Sequence, residues 1–190
     1  MVSEIAKDLQ FSLDPVVAPL VRAFKEVEAK GHALIIPPAR IPSREHLLRW
    51  VAPLISVRLM LFAREGSNHD ISSIESARNL EIGILSAPGL EETYRSAGFQ
   101  RVKRLASNET AIRMLMHQRL PAVLTADCSV YVALKEAGIP RSQIREGVVL
   151  STVTLWLAAS KDFPDDEFGQ WQAAAKKRRP RLTQIPAKYV

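Results

Sequence analysis

The stretch EIGILSAPGLEETYRSAGFQRVKRLASNETAIRMLMHQRLPAVLTAD, residues 81–127, decides the fold class. Residues 81–85, 101–105 and 121–125 are predicted strands, and helical patterns of about ten residues separate them. Ser86 and Asn108 can cap the two intervening helices, because short polar side chains accept hydrogen bonds from the first turn of a helix. Strands that alternate with helices of this length form parallel βαβ units. The stretch therefore predicts an α/β fold.

Two long apolar runs bracket this stretch, and residues 54–64 and 148–159 are each predicted to form a long strand. A βαβ block between two such strands fits a lobe inserted into another lobe. We therefore predict lobe one from residues 1–60 plus 150–190, and lobe two from residues 66–146. The other predictions for lobe one are strands over 11–18 and 32–36, a helix over 19–31, a short helix over 43–49, and two final helices over 165–178 and 182–189.

The composition is that of a globular protein. Of the 190 residues, 47% are hydrophobic and 24% are charged, which is the usual balance of a folded domain. The longest uncharged apolar run falls well short of the about 20 residues of a spanning helix. The net charge is +6, and basic residues near the C-terminus account for it. Because no aromatic residue interleaves those charges, we interpret them as a solvated helix end and expect no nucleic-acid partner, with nucleic acid or an anionic membrane surface as the alternative.

The sequence contains no pattern typical of catalysis or of cofactor binding. It has no glycine-rich phosphate loop, and its four histidines share no spacing with acids or with Cys128, the one cysteine. The acid pairs Glu91-Glu92 and Asp165-Asp166 fall in predicted first helical turns, where carboxylates stabilise the helix dipole. We therefore expect a protein that is not an enzyme and that holds no metal or cofactor.

Three places could hold a charged small molecule. In the run 39–45, an arginine that follows the end of a buried strand could bind a carboxylate through two parallel hydrogen bonds, or it could face solvent at the start of a helix. The turn 85–87 has free backbone N–H groups that suit an anion, as every βα turn does. In the run 125–127, a hydroxyl and the Asp127 carboxylate could receive an ammonium group, although a helix-capping role is the stronger interpretation of Asp127.

Several segments together resemble one known family. The run GHALIIPPARIPSRE (31–45), followed by RWVAPL (49–54), is similar to a family pattern that reads Ala-Arg-Thr-x-x-Arg-Glu and then Trp-Val-x-Pro. Looser likeness continues through PLVRA (19–23), NLEIGILS (79–86) and LWLAASK (155–161). The family is the family 3 solute-binding proteins, the periplasmic receptors of polar amino acid ABC importers.

The resemblance implies a periplasmic-binding-protein-like type II fold, in which two α/β lobes are joined by two crossover strands and the ligand lies in the cleft between them. It implies a monomeric, periplasmic solute-binding protein that binds a small carboxylate ligand, most simply an amino acid, and serves an ABC permease of the inner membrane. Arg44 falls on the family's carboxylate-binding arginine, and Ser86 and Ala87 fall on the turn that meets the same carboxylate. The full set of expected ligand-binding residues is Arg22, Ala39, Arg44, Ser86, Ala87, Thr125 and Asp127.

The sequence also departs from the family. Ile41 replaces a threonine, Leu20 replaces a tryptophan, and Asp127 lies one position beyond the family's ammonium-binding acid. The family begins with an export signal and a central strand, and this chain starts where the following helix should be under way, so the resemblance implies that both are missing. The alternatives are a dehydratase-type enzyme on the same fold, an effector-sensing domain of a transcription regulator, and a truncated remnant that binds nothing.

Overall fold

The computed structural model describes residues 2–86 and 94–178, which form two compact units. Unit 1 holds the described residues up to Ser56 and from Val153 onward, and unit 2 holds Val57–Thr152. Two strands of 16 residues each, β2 (Arg49–Arg64) and β6 (Ile144–Ala159), run through both units. The unit boundaries therefore fall inside two long strands, next to positions 60 and 150 where the sequence prediction places the lobe boundaries.

Among its described residues, unit 1 combines helices with a small set of strands. Its elements besides the two long strands are α1 (Val2–Asp8), α2 (Leu20–Lys30), β1 (Leu34–Ile35), a 3₁₀ turn (Pro42–Arg44) and α6 (Asp165–Arg178). The strand order is β1-β6-β2, and β1 runs antiparallel to β6. One apolar cluster gathers Ile5, Phe163 and Trp171, and a second gathers Phe24 and Trp50.

Unit 2 contains the βαβ stretch. Its elements are α3 (Ile74–Ala77), β3 (Glu81–Leu85), β4 (Arg101–Leu105), α4 (Asn108–Met116), β5 (Ala122–Ala126) and α5 (Asp127–Glu136). The strand order is β2-β5-β3-β4, in which β5, β3 and β4 are parallel and β2 runs antiparallel to β5. The α/β fold predicted from residues 81–127 is confirmed.

Apolar clusters cover both faces of the unit 2 strands. Phe62 and Val123 belong to one cluster, while Leu61 and Leu124 belong to another. Neighbouring residues of a strand point to opposite faces, so this division places a buried core on each side. Burial on both faces explains why β5 and the second half of β2 are continuous apolar runs in the sequence.

Two predictions for unit 1 are wrong. Residues 11–18 do not form a strand: Pro15 has no N–H to donate, Val17 is fully exposed, and no described residue accepts a backbone hydrogen bond from the amides of 12–18. The predicted helix over 43–49 is a 3₁₀ turn of three residues, Pro42–Arg44, because β2 already begins at Arg49. The helix predicted over 165–178 is confirmed, and the helix predicted over 182–189 lies outside the described residues.

The helix caps differ by one residue from their predicted positions. Ser107, and not Asn108, caps α4 by accepting a hydrogen bond of 3.1 Å from the backbone N–H of Thr110. Ala126 precedes α5, so Asp127 is the first helical residue and not the cap. In the part of the chain that the structure describes, no helix has the length and apolar character needed to cross a membrane.

Candidate ligand-binding residues

Arg44 is the central candidate residue of unit 1. It ends the 3₁₀ turn and is 1% exposed, which is exceptional for a guanidinium group. Its Nη1 donates a hydrogen bond of 3.3 Å to the carbonyl of Ala39, and the guanidinium carbon lies 5.0 Å from the centre of the Phe24 ring. The structure thus brings Arg44 and Ala39 together, as two of the predicted site residues, and holds the arginine in a fixed and largely dehydrated position.

The buried polar atoms of unit 1 without a hydrogen-bond partner among the described residues include the hydroxyl oxygen of Ser43, next to Arg44 in the chain, and the indole Nε1 atoms of Trp50 and Trp171. Buried polar groups are nearly always hydrogen-bonded to protein, water or ligand. The neighbourhood of Arg44 in sequence therefore carries hydrogen-bonding capacity that these residues leave unused.

Arg40 forms an aromatic cluster that sequence analysis did not assign. Its guanidinium lies 4.7 Å from the Trp156 ring centre and 5.5 Å from that of Trp50, while its Nε donates a hydrogen bond of 3.0 Å to Glu45. The bond to Glu45 raises the pKa of Arg40 further, so this side chain stays cationic. The two tryptophans meet edge to face and are supplied by β2 and β6.

Arg22 is placed apart from these groups. Its side chain is 71% exposed on α2 and pairs with Glu26 one turn later, with 2.7 Å between Nε and Oε1. This hydrogen bond lowers the pKa of the Glu26 carboxyl. The arrangement is that of an ordinary surface pair along a helix.

Asp127 and Thr125 lie at the carboxyl end of β5 in unit 2. The Asp127 side chain is 8% exposed, and Arg58 of β2 donates to it twice: from Nε to Oδ2 at 2.9 Å and from its backbone N–H to Oδ1 at 3.3 Å. The backbone N–H of Cys128 adds a third hydrogen bond of 2.8 Å. Thr125 donates its hydroxyl proton to Oδ1 of Asn108 at 3.0 Å. Both candidate side chains are therefore engaged within unit 2.

The Asp127–Arg58 pair continues into a wider polar network. Nη2 of Arg58 lies 3.7 Å from Oε2 of Glu146, and Oε1 of Glu146 accepts hydrogen bonds from the Tyr131 hydroxyl at 2.5 Å and from Arg141 at 2.8 Å. Partial burial and the bond to Glu146 raise the pKa of Tyr131 to about 12. The bonds from Tyr131 and Arg141 lower the pKa of Glu146. Positive and negative groups alternate along this network and balance each other.

The predicted anion-binding turn of unit 2 is described only in part. The backbone N–H of Ser86 donates to the carbonyl of Leu105 at 2.9 Å, so this amide is already engaged. Ala87 lies outside the described residues.

The remaining chemistry-bearing side chains form no further centre in the described ranges. Within residues 2–86 and 94–178, no three His, Cys, Asp or Glu side chains are placed to hold a metal ion. Nε2 of His32 lies 2.9 Å from Glu167. Burial raises the pKa of the Cys128 thiol, which disfavours the reactive thiolate.

Comparison with known proteins identifies the class of fold. No family model and no curated protein matches the chain. Among solved structures, a histidine kinase sensor domain with similarity to periplasmic binding proteins superposes with a TM-score of 0.82 at 13% identity, covering 94% of this chain and 78% of that one. Holo ArgBP from T. maritima gives a TM-score of 0.80 at 15% identity, with coverage of 97% and 78%.

A third structure extends the likeness to an importer component. The amino acid ABC transporter substrate-binding protein AbpA from Streptococcus pneumoniae, bound to L-arginine, gives a TM-score of 0.79 at 13% identity and covers 94% of this chain and 75% of that one. The chain therefore has a periplasmic-binding-protein-like fold, as its resemblance to the family implies. Amino acid-binding proteins of ABC transporters share this fold.

Proposed function

We propose that this chain is a periplasmic solute-binding protein of an ABC importer, and that it binds a small carboxylate-bearing ligand. The observation that carries the proposal is the likeness of nearly the whole chain to arginine-binding and amino acid substrate-binding proteins. In this role the protein is a monomer that delivers its ligand to an inner-membrane permease. A similar fold at 13–17% sequence identity does not show which ligand binds. We therefore infer the ligand class from the site residues.

Arg44 is the proposed carboxylate anchor. A guanidinium presents parallel N–H donors that match the two oxygens of a carboxylate, and lysine cannot reproduce this geometry. The burial of Arg44 strengthens such a contact, because charge-assisted hydrogen bonds gain strength away from water. The unsatisfied donors of Ser43 and Trp50 support a polar ligand in the same part of unit 1.

The protein is proposed to bind its ligand without converting it. A dehydratase on this fold would need an acid or base free to move a proton. Asp127, the buried acid of unit 2, already accepts three hydrogen bonds.

A sensor domain of a signalling protein is the second candidate function. It is favoured by the histidine kinase sensor domain that superposes on 94% of this chain. Both candidates bind a small molecule, and they differ in what the bound form contacts next. An interaction with a permease in vesicles supports the first, and an interaction with a kinase supports the second.

The test is ligand binding by isothermal titration calorimetry with wild-type protein and an Arg44→Lys variant. The panel holds the twenty amino acids and a set of simple mono- and dicarboxylates. We expect at least one carboxylate to bind, and we expect Arg44→Lys to weaken it about thirtyfold or more, as for a truncated buried charge pair. Arg113→Lys, at a 62% exposed position on α4, is the matched control and should bind like the wild type.

Two results would count against the proposal. Folded protein that binds no carboxylate would favour the interpretation of a non-binding remnant. Tight binding with equal affinity for wild type and Arg44→Lys would keep the function and remove Arg44 from the site.

A further inference from the structure

We propose that Arg58 is a specificity-determining residue, and that the ligand is a carboxylic acid without an ammonium group. Arg58 is paired with the carboxylate of Asp127, for which the sequence offers binding of an ammonium group as the alternative to a helix-capping role. The inference rests on the proposed function and narrows its ligand class. It separates amino acids, which carry an ammonium group, from otherwise identical acids that do not.

The carboxylate of Asp127 is the candidate acceptor for a ligand's ammonium group. Asp127 is the only Asp or Glu among the described residues that is buried, and its two oxygens accept hydrogen bonds from Arg58 and Cys128. An ammonium group has three donors and no acceptor, so it needs oxygen atoms with unused capacity. The hydroxyl of Thr125 already donates its proton to Asn108. This end of β5 therefore has its best cation-binding group already engaged by a cation.

The register of β2 on β5 places Arg58 next to Asp127. Strand β2 runs antiparallel to β5 with Leu59 opposite Ala126, so the preceding residue of β2 comes next to Asp127. The pair is formed by the chain itself, and a ligand's ammonium group would have to compete with a tethered guanidinium at high effective concentration. The hydrogen bond to Asp127 raises the pKa of Arg58, so deprotonation does not release the site.

Arg58 is itself accessible to a ligand. Its side chain is 47% exposed, so Arg58 remains accessible to solvent while it is paired with Asp127. Glu146, 3.7 Å from Nη2, is itself held by Tyr131 and Arg141. The exposed side chain at this end of β5 is therefore that of Arg58, which has only hydrogen-bond donors. It suits a carboxylate or hydroxyl oxygen of a ligand and not an ammonium group.

Unit 1 repeats the same arrangement with aromatic rings. Trp50 and Trp156 offer faces that attract cations, and the guanidinium of Arg40 already lies 5.5 Å and 4.7 Å from their centres. In each unit an arginine of the chain therefore stands where a cationic group of a ligand would otherwise be stabilised.

The experiment compares acids in matched pairs that differ only in the amino group: succinate with aspartate, glutarate with glutamate, and butyrate with 2-aminobutyrate. Binding is measured by calorimetry with the wild type, Arg58→Met, and the double variant Arg58→Met/Asp127→Asn. We expect the wild type to prefer the acid without an amino group by about tenfold or more. Arg58→Met should gain affinity for the amino member of the pair, and the double variant, which removes both charges, should lose that gain.

A second measurement does not depend on the ligand. Methylguanidinium chloride should raise the melting temperature of Arg58→Met above that in equal sodium chloride, and should do so less for the wild type and the double variant. Failure of this rescue would overturn the occupation of Asp127 by Arg58.

The outcomes separate this inference from the proposed function. If the wild type prefers the amino member of every pair it binds, the inference is overturned and the proposed function stands. If folded wild type binds neither member of any pair nor any compound of the wider panel, the proposed function is overturned, and the specificity assigned to Arg58 falls with it. If Arg58→Met does not fold, the wild type alone tests the inference. A preference for the acid without the amino group supports it, and a preference for the amino acid overturns it.

Discussion

At the scale of single residues, Tyr131 has a strongly raised pKa. Partial burial disfavours its phenolate, and its hydroxyl donates to Glu146, so its pKa is raised from 10.0 to about 12. A group whose pKa is raised by folding stabilises the native state below its unfolded pKa, and that contribution disappears as the pH rises through the folded pKa. The stabilisation from neutral Tyr131 should therefore be lost between about pH 10 and pH 12.

The prediction compares wild type with Tyr131→Phe. Between about pH 9 and pH 12, urea denaturation should show the unfolding free energy of the wild type falling more steeply than that of the variant. The difference between the absorbance titrations of the two proteins should give a pKa of about 12 for Tyr131. Parallel stability curves for both proteins would contradict the assigned environment of Tyr131.

At the scale of elements, two glycines in regular structure should respond in opposite ways to alanine. A Cβ on Gly147 of β6 would lie 2.5 Å from the carbonyl oxygen of Ile71, and that carbonyl is fixed by a hydrogen bond of 2.8 Å from Val148. A Cβ on Gly169 of α6 would meet nothing within 4 Å. The strand has no room for a methyl group, while the helix has room and gains from one.

We expect Gly147→Ala to lower the unfolding free energy by about 1–3 kcal/mol, since the backbone of Ile71 must move. Gly169→Ala should raise it by about 0.5–1 kcal/mol, because glycine inside a helix costs conformational entropy. Chemical denaturation of both variants beside the wild type measures these changes. An unfolding free energy that Gly147→Ala leaves unchanged or raises would mean that β6 does not lie this close to residue 71.

At the scale of the whole molecule, protection against hydrogen exchange should differ between parts of the chain. Strands β3 and β5 are paired with neighbours and packed on both faces, whereas residues 12–18 donate no backbone hydrogen bond to any described residue. Exchange follows local opening, which is rare in such core strands and frequent where backbone amides are open to water.

We therefore expect peptides covering β3 and β5 to exchange slowest by mass spectrometry, and peptides covering 11–19 to exchange within the shortest labelling time. Slow exchange over 11–19 would show that this segment is paired in solution, as a strand would be.

Local patterns account well for unit 2 and less well for unit 1. Local sequence patterns predict the bounds of β3 and β4 to the residue. The same rule fails over 11–18, where apolar residues occur without the pairing that makes a strand. A strand needs a partner, and no local pattern states whether one is present.

The sequence by itself determined the α/β class and the order of the described elements in residues 81–127, and its resemblance to a family supplied Arg44 as a candidate anchor. Only the tertiary structure decided which groups remain open to a ligand. Arg58 and Asp127 are 69 positions apart, and their ion pair depends on the antiparallel register of β2 on β5. Register arises from packing between strands rather than from the residues of either strand alone. The sequence offers Asp127 as a helix cap or as an ammonium-binding group, and only the structure shows that its carboxylate is bound by an arginine of the same chain.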